Sequence, residues 1–385
     1  MGMTNLVQKK EMSVLSGIRV VEFEGLGPCP FCGMLLADLG ADVILIERKG
    51  AADIGQNAIY KRGKRSIVLD IKNQSAREVA LSIVAKSDAL IEGMRPGVME
   101  RLGLGPDDVR GLNKKLVYGR LTGWGQTGPL AHAAGHDINY VSLSGAAWYA
   151  GAAGEAPVAP PTLVGDVGGG ALYLAIGILA GVLRARETGE GTVVDAAIVD
   201  GSAHMMNLLY SLRAAGGLPD ERGRSMLDGA HFYAAYACAD EKWLSIGPLE
   251  PKFYIALLQK LNLADDQLML AQFDQGKWPA LKLHFAELFK SKPRDHWIEL
   301  LQGTDVCFAP VLSPSEAAQD AHMKSRNILR DIGGVLQAAA APRFDGATPI
   351  DPPPVPSQGE HTEEILSEIG VNQQVIESWR AAGAI

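Results

Sequence analysis

The sequence predicts an α/β fold in which a large doubly wound domain is followed by a smaller α+β domain. Two patterns and the chain length carry that expectation. Short apolar, β-branched runs alternate with helix-period stretches through the first half, as β-α-β units around a parallel sheet require. From about Phe232 the pattern changes to closely spaced strands and then several helices. At 385 residues the chain is long enough for more than one core.

Residues 18–22 (IRVVE) read as a buried strand, followed by a Gly/Pro turn, a helix over 31–39 and a second strand over 42–46. A third strand is expected at 67–71, a helix at 76–85, and two more strands at 89–91 and 116–120. Together these describe a Rossmann-like sheet. A helix is expected over about 171–186, a strand at 192–195, and one long helix over 199–215 that ends at Gly216, Gly217 and Pro219. Residues 232–237 and 243–246 read as an antiparallel pair, with helices at 251–261, 278–289 and 293–301. The run DPPPVP at 351–356 reads as an extended linker, because consecutive prolines exclude helix. A closing helix is expected over about 362–382. The domain reading is a 1–14 extension, a large domain over 15–215, a linker over 216–230 and a small domain over 231–330. Residues 331–385 then return to the large domain.

A formal net charge of -8 argues against general nucleic-acid binding, which needs a basic field, but allows a local basic site. The longest apolar run, 167–182, carries five glycines and is short for a bilayer, so no membrane span is expected. The opening MGMTNLVQKKEMSV lacks the apolar core of a secretory leader. With four cysteines, a reducing, cytoplasmic location is expected.

Several motifs imitate chemistry without its context. Cys29-Pro30-Phe31-Cys32 has the spacing of a redox pair, yet small apolar packing suits it better. Gly25-Leu26-Gly27 with Glu47 resembles a dinucleotide fingerprint, but the third glycine position is Pro30 and Arg48 follows Glu47. His204 lies in an apolar helix and reads as a satisfied core residue, whereas His231 could line a pocket. No metal site is expected, since Cys238 and Cys307 are isolated. The strongest constellation is Gly135-His136-Asp137-Ile138-Asn139-Tyr140, just after the glycine-rich LTGWGQTGP, with Asp166 opening Asp166-Val167-Gly168-Gly169-Gly170. Imidazole and carboxylate can both be tuned toward neutrality, so His136 and Asp166 are expected to face one substrate carbon and move its proton. Asp166 alone would read as a helix N-cap. The glycines behind it are expected to leave backbone N–H groups uncovered at a helix start, for a developing oxyanion.

LSGIRVVEFEGLGPCPFCGMLLADLGADVILIE, RSIVLDIK, RPGVMERLGLGP, LTGWGQTGP, GHDINY and GEHTEEIL together resemble the family III CoA-transferase (CaiB/BaiF-like) superfamily, from about Leu15 to the C-terminus. Transferases of that family typically acylate an aspartate at the position of Asp166 and lack the histidine of GHDINY. His136, and Glu250 in EPKFY, resemble the racemase branch instead. The resemblance implies cofactor-independent racemisation of 2-methylacyl-CoA thioesters by 1,1-proton transfer through an enolate, with CoA as part of the substrate. It implies His136 and Asp166 as the two acid/base groups, Glu250 of a partner subunit orienting His136, and Asp137 in the same network. It also implies CoA contacts at Arg48, Leu69, Asp70, Ile71, Lys72, Arg95 and Arg101, with Gly135 and Tyr140 at the thioester end. The family forms interlocked homodimers with shared active sites, and 216–224 and 351–356 are suitable crossings. Met205, Met206 and Met226 suit an adaptable acyl surface. MLDGAHFY departs from the MLDGGAPFY usual in the racemase branch, which bears on acyl specificity. Two alternatives stand beside this reading: a CoA transferase with Asp166 as nucleophile, and a non-catalytic acyl-CoA-binding protein.

Overall fold

The computed structural model describes residues 13–50, 54–345 and 351–385. The N-terminal extension lies outside the described residues up to position 12. The chain divides into two compact units, one of residues up to Ser144, Pro160–Met205 and Lys324–Ile385, the other of Gly145–Ala159 and Met206–Met323.

The first unit is built on β1 (Arg19–Phe23), α1 (Pro28–Asp38), β2 (Asp42–Glu47), β3 (Arg65–Val68), α2 (Gln74–Val84), β4 (Ala89–Glu92) and β5 (Val117–Thr122). It continues through α3 (Asp137–Leu143), α4 (Leu172–Thr188), β6 (Val193–Ala197) and α5 (Ile198–Met205). Six strands pair in the order β3-β2-β1-β4-β5-β6, and every pairing is parallel. Strands buried on both faces need apolar residues at successive positions, which is why VVEF and DVILIE read as runs. Val21, Phe23, Ile44, Ile46 and Leu90 point to one core, against α2. Val20, Val43, Ala89 and Ile91 point to the other, against Cys29, Cys32 and Leu36 of α1 and Leu174, Ile178 and Val182 of α4. That two-sided layering is the doubly wound arrangement the sequence predicts.

Local boundaries differ for identifiable reasons. α1 begins at Pro28, three residues earlier than expected, because proline's fixed φ suits the first helical turn. The apolar run expected to be short belongs to a continuous 26-residue helix, Leu163–Thr188, long and apolar enough by length and composition to cross a membrane. Its Leu174, Ala175, Ile178 and Val182 are nevertheless buried in the second core of the sheet, as a layer helix requires. The long helix expected over 199–215 is two, α5 and α6 (Asn207–Ala214), divided at Met206. His204 is exposed rather than in a core, and its Nδ1 lies 2.7 Å from the Tyr173 hydroxyl.

The second unit contains β7 (Ala234–Ala237), β8 (Trp243–Ile246), α7 (Pro251–Lys260), α8 (Trp278–Lys290), α9 (Arg294–Leu301) and β9 (Phe308–Val311). The expected antiparallel pair gains β9 as a third strand, order β7-β8-β9. Pro310 hid that strand, and it is tolerated because β9 is an edge. His231 lines no pocket: it is fully buried, with Nε2 2.8 Å from the Tyr254 hydroxyl and Phe285 stacked on its ring. Tyr254 donates its single hydroxyl hydrogen to the Met269 carbonyl at 2.8 Å, so the imidazole carries its own hydrogen on Nε2.

The return segment belongs to the first unit. β10 (Leu329–Ile332) and β11 (Val335–Ala338) form a hairpin whose turn, Gly333-Gly334, has positive φ at both residues, as a two-residue hairpin of matching twist demands. Arg62 ties it down, bonding Asp38 of α1, the Gln337 side chain at 2.9 Å and the Ala338 carbonyl at 2.8 Å. DPPPVP is a packed strap rather than a free linker. The Val355 side chain is buried and its carbonyl accepts from Gln56 Nε2 at 3.1 Å. The closing helix is two, α10 (Thr362–Glu368) and α11 (Gln373–Ala381), separated at Gly370 with φ 79°. Ile365, Leu366, Ile376 and Trp379 complete the core on the α2 side.

Candidate active site

In an open parallel sheet, ligands bind beyond the carboxyl ends of the strands where the order reverses. Here that point lies between β1 and β4. A cavity of about 500 Å³ opens beside it, at the ends of β2, β3 and β4. Arg48, Lys49, Leu69, Asp70, Ile71 and Lys72 line one side, and Met94, Val98, Arg101 and Leu102 the other. Six residues expected at the ligand therefore share one cavity: Arg48, Leu69, Asp70, Ile71, Lys72 and Arg101. Lys49 was missed, although it sits beside Arg48 in sequence. Four cations against one carboxylate give the cavity a positive lining. Asp70 is partly used within the protein, accepting from the Lys72 backbone N–H at 3.1 Å. Arg48 is 70% exposed, its guanidinium only loosely held by Glu24 at 3.4 Å. Arg95 is not in the cavity wall; its charge reaches the Tyr140 hydroxyl instead.

The hexapeptide is organised from below. Gly135 and Tyr140, expected at the thioester, hold each other: the Tyr140 hydroxyl donates to the Gly135 carbonyl. The ring is buried edge-on to Trp124, centroids 4.7 Å apart. They shape the turn that carries His136. His136 precedes α3, its backbone N–H capped by Asn139 Oδ1 at 3.0 Å, and its imidazole is exposed.

Asp137 is committed to the backbone. Its Oδ1 accepts from the Asp166 N–H at 2.9 Å and its Oδ2 from the Thr162 N–H at 3.2 Å. A side chain at Gly165 would collide with that carboxylate, its Cβ 2.4 Å from Oδ1. Asp137 therefore positions Asp166.

Asp166 itself lies within a π-helical turn, Leu163–Ala171, that leads into α4. The helix thus starts three residues before Asp166, which overturns the expectation of uncovered N–H groups there. The Asp166 amide is held by Asp137 and the Val167 amide by the Thr162 carbonyl at 3.0 Å. The glycine amides that follow fall in the i→i+5 ladder. Asp166 Oδ2 instead faces Gly27, the residue that opens α1 with φ 63°. Gly27 was not anticipated as a site residue; its positive φ, which favours glycine, lets the chain enter α1 with the helix's positive end toward the carboxylate.

The electrostatics tie the two groups together. Partial burial raises the Asp166 carboxyl above its ordinary value, the Asp137 charge raises it further, and His136 pulls it down. The imidazole and the carboxylate are therefore within each other's field. Asp166 also raises the Tyr140 hydroxyl, secondary to burial.

The decoys have structural explanations. Cys29 and Cys32 are buried, and burial drives both thiols well above their usual range, so neither forms a reactive thiolate. Glu47 is buried with Lys61 and Ser66 on its oxygens and is not free for a ribose. Glu250 stands in the second unit, at the residue before α7.

The chain belongs to CoA-transferase family III, whose model matches residues 15–362. The mouse α-methylacyl-CoA racemase is 40% identical over 366 residues, covering 94% of this chain and 95% of that protein. The human α-methylacyl-CoA racemase is 39% identical over 371 residues at the same coverage. A CAIB/BAIF family protein from Brucella suis has the same fold, with a TM-score of 0.79 and 26% identity, over 93% of this chain and 99% of that one.

Proposed function

We propose that this protein is an isomerase that interconverts the configurations of 2-methylacyl-CoA thioesters by removing and returning the α-proton. The observation that carries the reading is the placement of an exposed imidazole, His136, within the field of a half-buried carboxyl, Asp166, on a sheet that also carries the cation-lined cavity. Likeness to the two mammalian racemases supports the substrate class.

An α-proton next to a thioester is weakly acidic, and inversion needs it taken from one face and supplied to the other. Two groups of matched basicity do this only if one is protonated while the other is not. A raised Asp166 carboxyl suits that task, because it brings an ordinarily strong acid closer to imidazole. The enolate oxygen is stabilised by the positive end of α1, which Asp166 faces, rather than by the glycines after Asp166. Arg48, Lys49, Lys72 and Arg101 hold the CoA phosphates, and Met94, Leu69 and Ile71 the adjoining apolar surface. CoA enters and leaves as part of the substrate, and no further group is needed for proton transfer.

The working unit is a homodimer in which Glu250 of the partner orients His136 and raises its basicity. Two features support a second copy. The His136 imidazole is exposed in a single chain, and α4 presents Leu172, Ile176 and Leu183 as one exposed apolar stripe.

The test is incubation of one enantiomer of a 2-methylacyl-CoA in ²H₂O with no acceptor acid. Deuterium at the α-carbon is expected. Turnover only after an acceptor acid is added, with an acyl group on Asp166 trapped by hydroxylamine, would replace the isomerase with a transferase. CoA binding without either outcome would leave a binding protein.

A further inference from the structure

The wall of the cavity that carries Arg101 is held from behind by charged groups that do not line it. After β4 the chain runs through the short helix Val98–Arg101. Met94, Val98, Arg101 and Leu102 line the cavity, whereas Met99 and Leu104 are buried in the core on the α2 side. Three ties run from β4 and β5 to this segment. The Glu92 carboxylate, buried at the end of β4, accepts from the Met94 N–H at 2.6 Å. The Tyr118 hydroxyl of β5 donates to the Leu104 carbonyl at 2.9 Å. Arg120, also of β5 and 7% exposed, bridges two carboxylates. Its Nε donates to Glu92 Oε1 at 3.0 Å, while Nη1 and Nη2 donate to Glu100 at 2.7 and 3.2 Å.

The bridge bears on Arg101 because Glu100 and Arg101 are neighbours in one helical turn with different destinations. Holding Glu100 against β5 fixes the rotation of that turn, and Arg101 is then directed to the cavity. The Glu100 stem rests on Gly105, where a Cβ would lie 2.8 Å from its Cγ. The Arg101 guanidinium lies back over Gly97, which enters the helix with φ 79° and whose Cβ, if present, would be 3.2 Å from Nη1. A planar guanidinium can address two carboxylates from two of its edges at once, which a lysine ammonium at the end of a flexible stem cannot do in fixed geometry. Burial raises the Glu92 carboxyl to about 7, while the Met94 amide and Arg120 pull it down, so Glu92 keeps its charge through the partners it holds.

We infer that Arg120 is a positioning residue for the ligand: through Glu92 and Glu100 it sets the wall from Met94 to Leu102, and with it the reach of Arg101 into the cavity. The inference rests on the reading of this cavity as the holder of the CoA phosphates and adds a residue that lines no part of it.

The test is calorimetric titration of the full chain with free CoA. Arg120→Lys keeps a cation beside Glu92 but gives up the fork to Glu100. Glu100→Ala removes a carboxylate whose side chain is 43% exposed and leaves the buried Glu92–Arg120 pair in place, so it spares the fold. Each change is expected to raise the Kd about tenfold, within the range of coupled neighbours. Arg101→Ala supplies the background that separates positioning from a general loss of structure. In it the same two changes are expected to raise the Kd by less than about threefold, because the cation they position is gone. Equal effects in both backgrounds, or a Kd that Arg120→Lys leaves unchanged, would overturn the inference. In turnover, KM is expected to rise with the Kd and by more than kcat falls; the opposite split counts against positioning. The expected pattern of Kd values in a protein that exchanges no α-proton would sink the isomerase reading and leave the positioning role standing. A wild-type chain that binds no CoA would overturn both.

Discussion

Asp166 acquires its chemistry from three neighbours: Asp137 below, His136 beside it and Gly27 in front. The Asp137 charge raises the Asp166 carboxyl, so Asp137→Asn should lower it. Asp166 would then ionise at lower pH, and the acid limb of the kcat/KM profile should move to lower pH. A limb that stays in place or moves upward would deny that the two carboxylates are coupled. His136→Ala should cost about 10²–10⁴-fold in exchange, the usual worth of a positioned acid/base group, while CoA binding is retained. Calorimetric titration with CoA separates the two effects. Residue types were legible in the sequence here, but their partners were not. Gly135 precedes the histidine and Tyr140 follows it by four residues, yet nothing in a string of letters says that a tyrosine hydroxyl turns back to a carbonyl five residues earlier.

At the scale of elements, the strands of the parallel sheet were readable because burial on both faces demands unbroken apolar runs. The π turn before α4 was not, since a widened helical turn has no residue signature beyond glycines that also suit an ordinary helix start. The Gly333-Gly334 hairpin and β9 were passed over, the first despite a strong turn signal and the second because of Pro310. α1, whose N-terminus faces Asp166, is held from beneath by a buried ion pair: Lys64 Nζ lies 2.6 Å from Glu22 and donates to the Pro30 carbonyl at 3.0 Å. Burial pushes the Glu22 carboxyl up to about 7 even with Lys64 pulling it down. Lys64→Met would leave that carboxyl without its partner and should destabilise the protein by about 3–5 kcal/mol, as loss of one member of a buried pair does. Urea denaturation measures it. His231 offers a pH test within the second unit. Burial lowers its imidazole from 6.5 to about 4, so the unfolded chain takes up a proton first as pH falls. Its contribution is complete above 6.5 and is lost between there and about 4. His231→Phe should flatten the urea midpoint of that unit over this window, and an unchanged slope would contradict the assignment.

At the scale of the whole molecule, the cation-lined cavity, His136 and Asp166 belong to one unit and Glu250 to the other. The resemblance in the sequence implied a dimer in which the partner subunit supplies Glu250 to His136. If the partner's Glu250 serves His136, mixing Glu250→Gln with His136→Ala chains should restore activity in the mixed dimers, which hold one intact pair. Each variant alone should stay low. The central claim is that two groups work on opposite faces of one carbon. It is tested most directly by enantiomer-resolved deuterium content at early conversion in ²H₂O, starting from a single configuration. The account predicts that deuterium appears first in the inverted enantiomer while recovered starting material keeps its protium. Equal deuterium in both enantiomers from the outset would place a single base on one face and contradict it.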